Sequence, residues 1–200
     1  MLVLGLTGQS GAGKGEVARV FSSFEGVVCL DTDKTAREVA VKGSPCLSEL
    51  CEYFGSEILL NDGTLDRKKL ARIAFGDKEK HAKLNHITHF YIMQRIREWL
   101  KQAQKDGVKI AVIDAPLLFE SHADELCDVT LAVISPYKTR LTRIMARDSV
   151  DEKNARIRLD SQPNDSFFRE KCTHVIENDD SLASLIKKSE NFICSLLSKL

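Results

Sequence analysis

The feature that most constrains this chain lies near its start: Gly8-Gln-Ser-Gly-Ala-Gly13-Lys14, the pattern G-x-x-x-x-G-K. An apolar segment of buried-strand type, Leu2-Val-Leu-Gly-Leu6, precedes it, and Val17, Ala18, Val20, Phe21 and Phe24 follow at helical spacing. Strand, glycine-rich turn and helix in that order make a phosphate-binding loop. The glycines let successive backbone N–H groups point at phosphate oxygens, and the helix adds the positive end of its dipole. Lys14 would reach the β- and γ-phosphates. A second strand, Val27-Val-Cys-Leu30, ends at Asp31-Thr-Asp33, so the opening reads as a parallel βαβ unit.

Beyond it, residues 34 to 105 read as mainly helical, with Gly43-Ser-Pro45 and Asn61-Asp-Gly63 as turns and a long amphipathic pattern from Asp77 to Gln104. The sheet resumes with strands at Lys109–Asp114, Asp128–Ile134 and His174–Ile176. Ser135-Pro136 opens a helix through Arg147, Asp151–Phe168 reads as one charged helical stretch, and Leu182–Leu197 closes the chain as an amphipathic helix. Strands alternating with helices argue for a doubly wound α/β fold, on which residues 34 to 105 are an inserted helical cap.

Composition removes other classes. The 200 residues carry 29 basic and 29 acidic side chains, so no global positive field is available to hold a nucleic acid backbone. No run approaches the roughly 18 apolar residues of a membrane span. Met1–Leu6 has neither a basic region before it nor a small-residue cleavage site, so no signal peptide is expected. The six cysteines form no C-x-x-C pair, and several lie in apolar stretches, which favours reduced thiols in a cytoplasmic protein.

Three groups of side chains carry candidate chemistry. Asp114 ends an apolar strand, where a carboxylate organises Mg²⁺ in nucleotide-binding loop proteins, or caps the next turn. Asp33 is placed to accept a proton from a substrate hydroxyl, and Asp31 to serve as a turn or N-cap acid. Arg140, Arg143 and Arg147 share a helix; Arg147 is assigned to phosphate, while Arg156 and Arg158 read as a solvated face paired with Asp148, Asp151 and Glu152. His86-x-x-His89 has helical spacing but no third ligand nearby, and reads as surface histidines.

Together these segments resemble the dephospho-coenzyme A kinase family nearly end to end. Leu6-Thr7-Gly8-Gln-Ser-Gly-Ala-Gly13-Lys14 looks like its P-loop, Leu30-Asp31-Thr-Asp33-Lys-Thr-Ala-Arg37 like its D-x-D-x-x-A-R segment, and Asn61-Asp-Gly-Thr-Leu-Asp-Arg67 like its D-G-x-L-[DN]-R turn. Asp114-Ala-Pro-Leu117-Leu118-Phe-Glu120 is similar to its P-L-L-[FY]-E box, Arg143-Ile-Met-Ala-Arg147-Asp148 to its arginine helix, and Ser161-Gln162 and Val175-Ile-Glu-Asn178 to its late elements.

The resemblance implies a P-loop NTPase three-layer α/β fold, with a five-stranded, mainly parallel sheet. Its core would be about 1–33, 106–138 and 172–200, with a helical acceptor-binding region at 34–105 and a lid at 139–171. It implies ATP and Mg²⁺ as cofactors and the ribose 3′-hydroxyl of dephospho-CoA as acceptor, in the last step of CoA synthesis, by a monomer or weak homo-oligomer. Carried over by residue, Gly8, Gly11, Ala12, Gly13, Lys14, Gly15 and Glu16 hold ATP, with Arg143 and Asn178 on its nucleotide side. Lys14, Asp33 and Arg147 are catalytic, Asp33, Arg37, Leu117, Leu118 and Glu120 bind the acceptor, and Asp114 faces the metal. The family usually has Ser-Thr where this chain has Gly15-Glu16, and His-Pro where it has His89-Phe90. Without a hydroxyl at Gly15, Mg²⁺ must be held by water and by carboxylates elsewhere, and Glu16 is expected to turn outward as a first-turn helix acid. Competing readings are a nucleoside monophosphate kinase, a nucleotide-binding protein without turnover, and a GTPase; the last lacks its N-K-x-D string.

Overall fold

A computed structural model describes all residues, 1–200. Five strands, β1 (Leu2–Gly8), β2 (Val27–Asp31), β3 (Ile110–Asp114), β4 (Val129–Ile134) and β5 (His174–Glu177), form one sheet in the order β2-β3-β1-β4-β5. β1 is parallel to both β3 and β4, and β4 to β5. Nine α-helices accompany them: α1 (Lys14–Phe21), α2 (Thr32–Val39), α3 (Pro45–Phe54), α4 (Arg67–Phe75), α5 (Lys78–Lys105), α6 (Tyr137–Asp148), α7 (Glu152–Asp160), α8 (Asp165–Lys171) and α9 (Leu182–Leu197).

The chain divides into two compact units, Met1–Leu30 with Gln102–Leu200, and Asp31–Lys101. In the first unit, alternation along β4 explains the layers. Leu131 and Val133 point into a core shared with Val17, Val20 and Phe21 of α1 and Leu185, Ile193 and Leu196 of α9. Ala132 and Ile134 point the other way, against Phe168 and Cys172 of α8 and its end. Because helices cover both faces, β3 is buried at all five positions and reads as an unbroken apolar run. The second unit has its own core, built from Cys46, Leu50 and Phe54 of α3, Leu70 and Ala74 of α4, and Ile87 of α5.

Several element boundaries differ from expectation. β1 continues through Thr7 and Gly8, because these residues stay paired with Ala132 and Val133 of β4. Asp33 lies in the first turn of α2 and not at a strand end: the Asp31 side chain caps that helix, accepting from the N–H groups of Asp33 (2.8 Å) and Lys34 (3.1 Å). The stretch 151–168 is two helices. They break at 161–164, where Pro163 cannot continue a helix and Asn164 caps α8 by accepting from the Phe167 N–H at 3.1 Å.

All six cysteines are free thiols. Burial pushes Cys127 up to about 12 and Cys46 and Cys172 to about 11, so these three are protonated packing groups at neutral pH. No helix is long and apolar enough to cross a membrane.

Candidate active site

The glycine-rich loop leaves β1 at the point where its neighbour β4 forbids a side chain. A Cβ on Gly8 would lie 2.3 Å from the Val133 carbonyl oxygen. At the other end Gly13 has φ +104, and a Cβ there would meet the Asn178 amide nitrogen at 2.7 Å. Both positions therefore require glycine, for close packing and for a positive φ, which is +147 at Gly8. Gly13 is the N-cap of α1, and no side chain caps that helix; the Glu16 N–H closes a tight first turn on the Gly13 carbonyl at 3.0 Å.

The loop is gripped from several elements of the same unit. The Arg143 guanidinium on α6 donates to the Gly11 carbonyl at 3.2 Å, and the Asn178 amide after β5 donates to the Ala12 carbonyl at 2.8 Å. The Gln162 side chain holds both the N–H and the hydroxyl of Ser10, each at 3.0 Å. The Gln9 amide donates to the Pro163 carbonyl at 3.2 Å and to Asp165 at 2.8 Å. Arg140 is buried, donates to the Ser135 carbonyl at 2.8 Å, and is held below the ordinary arginine value by that burial. Its Nη1, the Asn178 Oδ1 and the Gln9 Oε1 are buried and find no partner in the protein.

Lys14, at the first position of α1, forms an ion pair with Asp114 at the end of β3. The carboxylate at the end of β3 thus sits beside the lysine that opens α1. Gly15 is open: a Cβ there meets nothing within 4 Å. Glu16 turns outward to Arg19 of the same helix at 3.0 Å.

Arg147 pairs with Asp148 through Nε (2.7 Å) and a terminal nitrogen (2.9 Å), and Arg158 reaches the same carboxylate at 2.7 Å. Asp148 is held below the usual carboxylate range, chiefly by the Arg147 hydrogen bonds. Arg156 pairs with Glu152 at 2.6 Å, the surface arrangement expected of it. After β3, Leu117 is 50% exposed and Glu120 exposed, but Leu118 is fully buried and would touch a Cβ added at Gly5 at 2.9 Å. The Leu118 side chain is thus packed in the core under β1. In the second unit Asp33 and Arg37 are exposed on one face of α2, four residues apart. The Arg37 carbonyl accepts from Arg67, the residue that opens α4, at 2.9 Å.

The family description "Dephospho-CoA kinase" matches residues 2–184 of the chain. The chain belongs to the dephospho-CoA kinase family. This kinase is 40% identical over 196 residues to the dephospho-CoA kinase of Corynebacterium glutamicum, spanning 98% of its own length and 100% of the relative's. A dephospho-CoA kinase of Listeria innocua is 38% identical over 190 residues, covering 95% of this chain and 94% of that one. Among solved structures, TT1252 from Thermus thermophilus superposes with a TM-score of 0.82 at 29% identity, covering 100% and 97% of the two chains.

Sequence reasoning on this kinase singled out the loop, Lys14, Asp114 and the α6 arginines, which the fold gathers in one unit. It gave no task to Gln9, Ser10 or Asp165, named Arg140 only as a member of the arginine cluster, and noted Gln162 only as part of a family element. Pro163-Asn164 marks the break beside Gln162 and Asp165 in the sequence, but nothing local marks their contacts with the loop.

Proposed function

We propose that this kinase transfers the γ-phosphoryl group of ATP to the ribose 3′-hydroxyl of dephospho-CoA, giving CoA and ADP, as a cytoplasmic monomer or weak homo-oligomer. The observation that carries the reading is the uncapped, glycine-shaped start of α1 with Lys14 already held at its mouth by Asp114. Phosphoryl transfer needs little covalent work from the protein; it needs the acceptor oxygen in line and the developing charge neutralised.

Each residue then has a task. The loop N–H groups and Lys14 bind the phosphates, and Lys14 exchanges part of its pairing with Asp114 for phosphate oxygen. Asp33, free of helix-capping duty because Asp31 performs it, orients the acceptor hydroxyl and takes its proton. Arg147 leaves its bidentate pairing with Asp148 for the transferring group, within a lid at residues 139–171 that excludes water. Arg37, Leu117 and Glu120 contact the acceptor, and Arg143 and Asn178 the nucleotide. Mg²⁺ would be held through water by Asp114, since Gly15 offers no hydroxyl, and would neutralise charge on the phosphates.

An ADP-release assay with dephospho-CoA, AMP, CMP and UMP as alternative acceptors tests the reading. Transfer to dephospho-CoA should exceed that to each nucleotide by orders of magnitude. Faster transfer to any of the three would make this a nucleoside monophosphate kinase instead.

A further inference from the structure

We infer that Gln162 and Asp165 are positioning residues for the phosphate-binding loop, fixing it through Gln9 and Ser10 in the shape that receives nucleotide. The inference rests on the reading above that this loop binds ATP.

In G-x-x-x-x-G-K the ligand dictates the glycines and the lysine and leaves the intervening positions open. Here two of those open positions are read by the protein. Gln9 is 2% exposed; its amide nitrogen donates to both the Pro163 carbonyl at 3.2 Å and Asp165 Oδ1 at 2.8 Å. Its orientation is therefore fixed, because the flipped amide would set oxygen against two acceptors. Ser10 is held at two points by one side chain: its N–H donates to Gln162 Oε1, and its hydroxyl accepts from Gln162 Nε2, both at 3.0 Å. A primary amide is suited to this, since it accepts at one end and donates at the other. All four bonds span more than 150 residues of sequence and converge on the short break between α7 and α8 and the first residue of α8.

The physical need is specific to an anion-binding loop. Parallel N–H groups gathered toward one point repel each other until a phosphate arrives, so the receptive shape is costly without ligand. Anchors on the outer side of the loop hold that shape in advance, and the nucleotide then spends less of its binding free energy on ordering the loop. Losing the anchor should weaken nucleotide binding, with little effect on the acceptor.

The test is a double-mutant cycle on the full chain, measuring ATP affinity by calorimetry and the KM of each substrate. Gln162→Ala should raise the Kd for ATP about tenfold, equivalent to losing about 1.4 kcal/mol. The KM for dephospho-CoA should stay within about twofold. Ser10→Ala, which keeps the N–H but loses the hydroxyl, should raise the Kd about threefold. The double variant should bind ATP no more weakly than Gln162→Ala, because the hydroxyl's partner is already gone. Unchanged ATP affinity in both single variants, or a double variant whose losses simply multiply, would overturn the inference, as would equal rises in both KM values. Should Gln162→Ala fail to fold, Ser10→Ala decides by whether its effect falls on ATP alone. A wild type that binds ATP but leaves dephospho-CoA unphosphorylated overturns the functional reading and not this one; a wild type without ATP affinity overturns both.

Discussion

Two carboxylates at the start of α2, the N-cap Asp31 and the first-turn Asp33, show how local geometry divides labour between identical side chains. Asp31 spends its oxygen on the two N–H groups that start the helix, which leaves Asp33 in the first turn, exposed and available to a substrate. Replacing Asp33 with Asn should therefore lower kcat by orders of magnitude while the ATP Kd stays near wild type. Loss of ATP binding instead would assign Asp33 to the nucleotide's metal. Asp148 is a different case, a carboxylate shared by two guanidinium groups. Its folded pKa is depressed, so its contribution to stability is present above the unfolded carboxylate value of about 3.9 and is lost as pH falls through that value toward the folded one. Thermal midpoints measured from pH 7 down to pH 3 should decline less steeply in Asp148→Asn than in the wild type. Identical acid limbs would remove the linkage.

At the scale of elements, the central strands were the most legible because their burial is two-sided. Ile110–Asp114 and Val129–Ile134 are apolar runs bounded by Gly107 and Pro136, and both proved to be core strands of the sheet. The break between α7 and α8 was missed because the charge pattern runs straight through it; Pro163 followed by the capping Asn164 was the overlooked signal. The grip of Gln162 and Asp165 on the loop was illegible for a deeper reason, since it depends on tertiary contacts between segments far apart in sequence. The start of α1 invites its own test. Gly15 lies in the first turn with open space where a Cβ would be, so Gly15→Ser should be accepted without strain. Serine's better helix propensity should add up to about 0.5 kcal/mol, raising Tm by about 1 °C, and the new hydroxyl should lower the Mg²⁺ concentration needed for half-maximal rate. A fall in Tm, with no change in the Mg²⁺ requirement, would show that the glycine serves the backbone.

Across the whole molecule, basic and acidic groups are equal in number, 29 of each. The loop N–H groups, Lys14, Arg140 and Arg143 surround one end of the sheet, where the carboxyl ends of β1 and β3 open. Balanced net charge offers no global field for a polyanion and is compatible with a small, strongly anionic ligand. The fold and family follow from nearly the whole length of the chain, whereas the acceptor chemistry rests on a few exposed groups. The most direct test of that chemistry is ³¹P NMR of the wild type incubated with ATP, Mg²⁺ and dephospho-CoA. The account predicts a new phosphomonoester resonance on the ribose 3′ position, growing in step with ADP. ADP accompanied only by inorganic phosphate, or no conversion of ATP at all, would contradict it.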